Sequence, residues 1–216
     1  MHRRFRFGVV AAYAPSHAAW ITTARRVEEL GYATLLMPDR ANIGSLAPLT
    51  ALAVAAEATT RLRIGSYVFC NEYRHPVILA REAATLDMLS EGRFELGPGA
   101  GERILKLAAR EADIITIGSK ITAQGLDPSD ATLEQKIAWI KEAAGKRFVD
   151  LELSQTVYDL VFTDSGTAIS HYGERPPIPK QPVNTEQRDR YGFSYIQVYT
   201  GQMKNFAPVL ARIVGQ

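Results

Sequence analysis

The sequence predicts an α/β protein with a TIM-barrel-like (β/α)8 fold that is incomplete and has about seven strands. Strand and helix patterns alternate along most of the 216 residues, which is typical of a parallel sheet with helices packed outside it. Several predicted strands are continuous apolar runs, as in strands that are buried on both faces. Polar residues gather at 70–75, directly after such a run, and barrels place their chemistry at this end of their strands.

The stretch 61–101 is the central unit of this pattern and is predicted as strand, helix and strand. It begins with a strand at 62–69, and Pro76 then stands where a helix can start. Apolar residues recur at helical spacing until Gly92, which ends the helix. A second strand at 94–96 leads into a glycine-rich run. Since parallel neighbours require a crossover connection, this unit indicates a parallel pair.

The remaining elements continue the alternation on both sides of the central unit. Further strands are predicted at 5–12, 33–37, 114–117, 151–162 and 193–199. Further helices are predicted at 20–30, 48–58, 102–111, 131–144 and 206–214, and a glycine-containing loop at 118–130.

Two places differ from a complete barrel of eight units. At 101–102 a strand passes through glycine directly into a helix. The stretch 165–190 is polar where a helix would be expected, and proline excludes a helix interior from much of it. The prolines are Pro176, Pro177, Pro179 and Pro182.

Composition limits the classes of function that the chain can have. The 46% hydrophobic content fits one globular domain with a sizeable core. A formal net charge of +2, from 25 basic and 23 acidic side chains, argues against nucleic-acid or membrane-surface binding. The single cysteine, Cys70, excludes an intramolecular disulfide framework and is expected in a cytoplasmic protein. The residue spacing indicates no metal site and no nucleophilic triad.

Several short sequence motifs occur in a particular order and together indicate a family. The words ATTRLRIG, RHP, LAREAATLD and LSEGRFELGPGAG follow one another between 57 and 101. With the preceding ARRVEELGYATLLMPD, they resemble the N-terminal half of the luciferase-like flavin and deazaflavin monooxygenases. The later words ERILKLAAREADIITIG, KIAWIKEAAG and RYGFSYIQVY resemble the branch of this family that uses coenzyme F-420.

The resemblance implies one luciferase-like barrel domain over 1–216, shortened near 101–102 and within 165–190. It implies an oxidoreductase or monooxygenase that uses a reduced cofactor, FMN or coenzyme F-420, on a small organic substrate. A separate flavin reductase would supply the reduced flavin. Because homodimers are usual in this family, the resemblance also implies a homodimer. The lid-like insertion of the family is also expected to be absent at 101–102.

The resemblance also implies where the cofactor would bind. A non-proline cis peptide bond is expected at Ser66-Tyr67, behind the cofactor ring, although an ordinary trans bond is the alternative. The ring is expected to lie over the end of the 62–69 strand, and the phosphate end at the helix that begins near Glu102. The alternative for the glycines before this helix is a tight turn forced by the missing segment. The expected cofactor-binding residues are Ser66, Tyr67, Val68, Asn71, Arg74, Gly99, Gly101 and Arg103.

Two residues are candidates for a catalytic role, each with a structural alternative. Arg40 stands where many deazaflavin-dependent relatives have histidine, but arginine stays protonated and is a poor general base. Its alternative role is a surface salt bridge with Asp39 or a neighbour. His75 precedes a proline, so it is either catalytic or a helix cap. Cys70 is expected to be a small apolar residue rather than a nucleophile.

Three functions therefore follow from the sequence. The first is the cofactor-dependent oxidoreductase. The second is a shortened homologue that binds flavin without turnover. The third is a cofactor-independent enzyme that acts on a secondary metabolite. Loss of the insertion favours the second and third, because the reactions of reduced flavin with oxygen require a dry site.

Overall fold

The fold is an open barrel in which seven parallel strands curl around a filled interior. The computed structural model describes residues 3–41, 45–97, 101–119, 121–122, 125–156 and 185–213. The strand order is β4-β3-β2-β1-β9-β8-β5, so the first and last strands of the chain are neighbours. The predicted incomplete α/β barrel is therefore confirmed.

The first half of the chain alternates regularly between strand and helix. Its elements are β1 (Arg6–Val10), α1 (His17–Glu29), β2 (Thr34–Met37), α2 (Pro48–Ala58), β3 (Arg63–Ser66), α3 (Pro76–Leu89) and β4 (Phe94–Glu95). A short 3-10 turn, Asn71–Tyr73, lies between β3 and α3.

The second half continues the alternation with one additional ribbon. Its elements are α4 (Glu102–Glu111), β5 (Ile114–Thr116), the antiparallel ribbon β6 (Ile121–Thr122) and β7 (Gly125–Leu126), α5 (Leu133–Ala144), β8 (Glu152–Thr156), α6 (Thr185–Tyr191), β9 (Phe193–Tyr199) and α7 (Met203–Ile213). Short 3-10 turns cover Gly145–Asp150 and Thr200–Gln202.

The barrel is open between β4 and β5. These two strands follow one another in the chain and are connected by α4, but they are the two edges of the sheet. The opening therefore lies between the strands that flank 101–102, where the sequence pattern lacks a unit. We call this opening the seam.

Local sequence signals account for most of the helix boundaries. Ser16 caps α1 by accepting from Ala19 N, and Thr132 caps α5 in the same way. Pro48 is the first residue of α2, where its missing N–H has no cost. The indole N–H of Trp20 then donates to Ala51 O at 2.8 Å and joins α1 to α2.

The apolar core lies between the strands and the helices, and it has two parts. One part packs α1, α2 and α7 against β1 to β3, and the other packs α4 and α5 against β5 and β8. Because side chains alternate along a strand, the opposite set of residues points into the barrel. This inward set includes Val10, Leu36 and Tyr195, which pack together at the centre.

Several predicted boundaries need correction. The strand expected at 62–69 is Arg63–Ser66. Of the stretch 151–162, predicted as one strand or two, Glu152–Thr156 is a strand, and 157–162 lie outside the described residues. The loop expected at 118–130 contains the β6–β7 ribbon. Helix α6 begins at Thr185, after the last proline of the 165–190 stretch, so a helix does form at its end. The four prolines themselves lie outside the described residues.

No helix in the described ranges is both long enough and apolar enough to cross a membrane.

Candidate functional site

The ends of β2 and β3 are joined by an ion pair. Asp39, just after β2, accepts from Cys70 N at 3.0 Å and from both terminal nitrogens of Arg74, with the Nη2 to Oδ1 distance at 3.2 Å. The Arg74 guanidinium also lies over the Phe69 ring, 5.2 Å from its centre. The predicted cofactor ligand Arg74 therefore already has a partner, and the loop after β3 is fixed to the end of β2.

Ser66 joins β3 to the chain beyond β4. Its hydroxyl is buried and accepts from Gly97 N at 2.8 Å. A Cβ atom at Gly97 would overlap Ser66 O, so only glycine permits this close approach. The hydroxyl can still donate its own proton, so the contact between Ser66 and a cofactor stays a prediction. Tyr67 and Val68 beside it are half-buried.

The cis peptide bond lies one residue later than predicted. It joins Tyr67 to Val68, and the bond at Ser66-Tyr67 is trans. The reason for the difference is that Tyr67 N still donates to Met37 O at 2.7 Å, so the chain follows β2 for one residue beyond Ser66.

The two catalytic candidates have different surroundings. Arg40 is exposed and, with Ala41 and Tyr73, borders an open depression of about 420 Å³. Asp39 binds Arg74 instead of Arg40 in the described part of the chain, and a salt bridge of Arg40 with another neighbour stays a prediction. The His75 ring accepts from Val77 N at 3.3 Å, so the helix-cap role is confirmed.

Cys70 and Asn71 lie at the start of the same loop. The Cys70 thiol donates to Glu72 Oε2 at 3.0 Å, and this bond raises the pKa of the thiol. A protonated thiol is a poor nucleophile. Cys70 is half-buried and bound to a carboxylate, however, so it is not the small, buried apolar residue that the sequence predicted. Asn71 begins the 3-10 turn after β3.

The N-terminus of α4 is the candidate phosphate site. Gly101 precedes the helix with φ 123° and, as the N-cap residue, has no side chain to cap the first N–H groups. Arg103 is exposed there, while Glu102 is paired with Lys106 at 3.0 Å. Free N–H groups, the helix dipole and Arg103 fit the phosphate end of a cofactor. Gly99 lies outside the described residues.

A buried ion network that the sequence analysis did not predict fills the N-terminal end of the barrel. Arg6 donates to both oxygens of Glu152, with Nε to Oε1 at 2.8 Å, and to Glu95 Oε1 at 2.8 Å. Arg63 donates to the same Glu95 oxygen at 2.5 Å. The Arg6 guanidinium lies 3.6 Å from the centre of the Tyr195 ring. Two cations and two anions thus neutralise each other inside the barrel.

The pKa values of Arg6 and Tyr195 are both raised, so both side chains keep their protons. Burial alone would lower the pKa of Arg6, but the hydrogen bond to Glu152 and the nearby Tyr195 and Glu95 raise it above its ordinary value. Burial, together with the negative charge of Glu95, raises the pKa of Tyr195. Tyr195 therefore remains protonated and donates to Glu95 Oε2 at 3.4 Å. The network therefore has a structural role at the N-terminal end of the barrel and is not a proton donor at neutral pH.

A neutral polar cluster lies nearer the C-terminal ends of the strands. Gln197 Oε1 accepts from Thr156 Oγ1 at 2.9 Å, and Gln197 Nε2 donates to Thr116 Oγ1 at 3.4 Å. Ser154 Oγ is buried beside them on β8 and has no hydrogen-bond partner among the described residues. The cluster offers hydrogen bonds without charge.

A cleft of about 600 Å³ opens through the seam. Its walls are mainly apolar, and the paired Arg63 and Glu95 form its floor. No group of three or more histidine, cysteine, aspartate or glutamate side chains in the described ranges could hold a metal ion.

Known sequences of one family resemble parts of this chain, whose fold is an open barrel with polar side chains at the strand ends. The sequence model of the luciferase-like monooxygenase family matches residues 5–106. The chain is 32% identical over 121 residues to 4-hydroxyprotoasukamycin monooxygenase of Streptomyces nodosus subsp. asukaensis, covering 54% of this chain and 29% of that protein. It is 35% identical over 92 residues to an F420-dependent glucose-6-phosphate dehydrogenase of Amycolatopsis mediterranei, covering 39% and 28% of the two chains.

Solved structures show the same fold over nearly the whole chain. The F420-dependent tetrahydromethanopterin reductase of Methanopyrus kandleri has a TM-score of 0.67 at 13% identity and covers 98% of this chain and 99% of its own. An F420-dependent secondary alcohol dehydrogenase has a TM-score of 0.68, with the same identity of 13% and the same coverage of 98% and 99%.

The fold is thus the one that these two solved structures share. The resemblance inferred from the sequence is confirmed over residues 5–106, which match the sequence model of the luciferase-like monooxygenases. The matched segments span less than a third of the curated relatives, at 29% and 28% of their lengths.

Proposed function

We propose that the chain is an oxidoreductase of the luciferase-like type, which uses reduced flavin or deazaflavin on a small organic substrate. The match of the family model to residues 5–106 is the observation on which this proposal rests. That segment contains β1 to β4 and the loop after β3, where the candidate ring site lies. Relatives named as a monooxygenase and as F420-dependent dehydrogenases support the same class of reaction.

The described residues offer a place for each end of such a cofactor. Tyr67 and Val68 present a half-buried surface at the end of β3 that suits an aromatic ring. Arg103 and the uncapped N-terminus of α4 would bind a phosphate. When bound, the reduced cofactor would supply the electrons for the reaction.

The chain itself would position the reactants. The pair of Asp39 and Arg74 keeps the loop after β3 in place beside the ring site. Arg40 is exposed at the same strand ends and stays protonated, so its role would be to bind an anionic group rather than to accept a proton. FMN and coenzyme F-420 remain the two candidate cofactors. If the cofactor is FMN, a separate flavin reductase would reduce it.

A titration with each cofactor tests the proposal. FMN and coenzyme F-420 are added separately to the purified protein, and visible absorbance and fluorescence are followed. We expect binding of one of them with a dissociation constant of tens of micromolar, roughly 6 kcal/mol. The exchange Arg103→Glu should weaken binding, whereas Arg110→Glu, on an exposed residue at the other end of α4, should not. If neither cofactor binds at millimolar concentration, the redox function is excluded and a cofactor-independent enzyme takes its place.

Binding without turnover is the second candidate function. The observation that favours it is the ion pair of Arg74 with Asp39, because it occupies the guanidinium expected to contact the cofactor. Oxygen uptake and substrate-dependent oxidation of the reduced cofactor distinguish the two functions. A protein that binds the cofactor but shows neither reaction with any tested aldehyde, alcohol or ketone has the binding role.

We also propose a homodimer in a reducing cytoplasm. Helix α3 has one buried residue, Leu86, and exposes apolar side chains on the rest of its surface. A second copy would cover this surface.

Cys70 is a free thiol, which fits a reducing compartment.

A further inference from the structure

The seam presents two sheet edges that have no neighbouring strand among the described residues, and β4 is the first. Arg93 O accepts from Ile64 N at 2.9 Å, so residue 93 directs its backbone toward β3. In a parallel ladder the direction alternates with each residue. Phe94 and Leu96 therefore direct their N–H and C=O groups away from β3 and toward the seam.

The second edge is β5, and its backbone hydrogen bonds to β8 show the same alternation. Asp113 O accepts from Glu152 N at 2.8 Å, and Ile117 N donates to Ser154 O at 2.9 Å. The odd-numbered residues thus pair with β8. Ile114 and Thr116 direct their backbone groups toward the seam, facing those of β4.

The cleft between these edges has apolar walls and a floor without free charge. Its apolar lining is Phe69, Leu79, Phe94, Leu96, Ile104, Leu107 and Ile114. Leu96 and Leu107 are 51% and 48% exposed at its mouth. On the floor, Arg63 and Glu95 neutralise each other at 2.5 Å. Glu111 and Asp113 also line the cleft, and Asp113 is paired with Arg147 at 2.8 Å. The cleft therefore disfavours an acidic ligand and otherwise binds through its apolar walls.

We propose that the seam binds an extended polypeptide segment of another protein, which adds an eighth strand parallel to β4 and β5. Only an extended backbone offers donors and acceptors along both of its sides, as two facing edges require. Eight strands also give a closed barrel whose interior side chains can fill, and closure removes both edges. This inference goes beyond the proposed oxidoreductase function and does not depend on it.

The alternation of side chains defines the chemistry of the segment. Residues that point outward would be apolar and pack on Leu79 and Leu107, between α3 and α4. Residues that point inward would be small and polar, beside Arg63 and Glu95. A second copy of this chain is a poorer donor, because each of its seven sheet strands is already paired in its own barrel.

Binding of a synthetic strand tests the inference. The probe is a fluorescein-labelled peptide, Lys-Val-Ser-Val-Ser-Val-Ser-Lys, and the control peptide has proline in place of its central valine. Fluorescence anisotropy with the full chain should show saturable binding of the probe and at least about tenfold weaker binding of the proline peptide, which lacks one N–H donor. Equal binding of both peptides would show nonspecific hydrophobic binding, without strand pairing, and would overturn the inference.

Protein variants and hydrogen exchange locate the peptide. Leu107→Asp should weaken binding about tenfold, while Val149→Asp, an exposed apolar residue that does not line the cleft, should leave it unchanged. On binding, the amides of Leu96 and Thr116 should exchange more slowly. The inference is wrong if these amides are unaffected, if the two variants behave alike, or if the chain self-associates in competition with the peptide. Because no cofactor is present, none of these outcomes bears on the oxidoreductase proposal.

Discussion

Arg6 is the residue that joins the two halves of the barrel interior. It is paired on one side with Glu95, from the first half of the chain, and on the other with Glu152, from the second. Both carboxylates are largely buried, at 7% and 9% exposure. Since a buried charge without a partner is costly, each of these residues depends on the others.

Removing the cation should therefore destabilise the fold more than removing a surface cation. We expect Arg6→Met to lower the free energy of unfolding by about 3 kcal/mol, because two carboxylates lose a partner. The same change at Arg26, whose pair with Glu29 is exposed, should cost less than about 1 kcal/mol. Urea denaturation of the two variants measures the difference, and equal losses would show that the network contributes no more than a surface pair.

The sequence does contain a signal for this network. Each charged member stands alone between apolar neighbours, as in Phe5-Arg6-Phe7 and Leu151-Glu152-Leu153. Such alternation predicts a charge on the inward face of a buried strand. The pairing itself was not predictable, because Arg6 and Glu152 are 146 positions apart and only the closed topology brings them together.

At the scale of elements, the end of α1 is joined to the start of β3 through one carboxylate. Glu28 Oε1 accepts from the backbone N–H groups of Thr60, Arg61 and Leu62 at 3.0, 2.6 and 2.9 Å. Burial alone would raise the pKa of Glu28, but these three donors lower it below its ordinary value. The ionised carboxylate therefore stabilises the folded state.

This shift predicts a pH dependence with a definite sign. A lowered folded-state pKa contributes stability that is complete above the unfolded pKa, near 4.5, and is lost as the pH falls through the folded pKa. We expect Glu28→Gln to be less stable than the wild type at pH 7 and to approach it at acid pH. Thermal unfolding between neutral and acid pH tests this, with Glu29→Gln as the exposed control. Parallel curves for Glu28→Gln and the wild type would contradict it.

The contact between β3 and the chain after β4 depends on a glycine. We expect Gly97→Ala to destabilise the protein by about 1–3 kcal/mol, because its Cβ would overlap Ser66 O and one of the two backbones must move. Gly201→Ala, with no atom near its Cβ, should be close to neutral. Chemical denaturation compares them. A Gly97→Ala protein as stable as Gly201→Ala would show that the two segments can separate freely.

Element types were more predictable than strand lengths. Helices α2 and α4 have the predicted bounds, since proline, glycine and apolar spacing define them locally. Strand β4 has two residues instead of three, and β3 four instead of eight. The length of a strand depends on its neighbours in the sheet, and β4 has a neighbour on one side only.

At the scale of the molecule, exposed apolar surface on α3 predicts association. Met88 and Leu89 are 69% and 68% exposed at the end of this helix. We expect a dimer in sedimentation velocity at tens of micromolar, and we expect Leu89→Lys to produce monomers by placing a charge in the contact. Val149→Lys, at an exposed apolar site on a different element, is the control. A monomeric wild-type protein at that concentration would rule out the dimer.

The topology was largely predictable, whereas the candidate site was predictable only in outline. The family words lie in β2 to β4 and their loops, so they indicated the strand ends at which Asp39 and Val68 lie. They did not show that Arg74 binds Asp39 or that Ser66 binds Gly97, because those contacts connect different strands and depend on three-dimensional geometry.

The position of the ion network also has a kinetic consequence. Its pairs connect residues 89 and 146 positions apart, and contacts this distant are expected late in folding, after the local units have formed. Interactions that are absent from the folding transition state act on the rate of unfolding. Arg6→Met should therefore accelerate unfolding in stopped-flow experiments and leave the refolding rate nearly unchanged. The charges inside the barrel would determine how long a folded molecule persists rather than how quickly it forms.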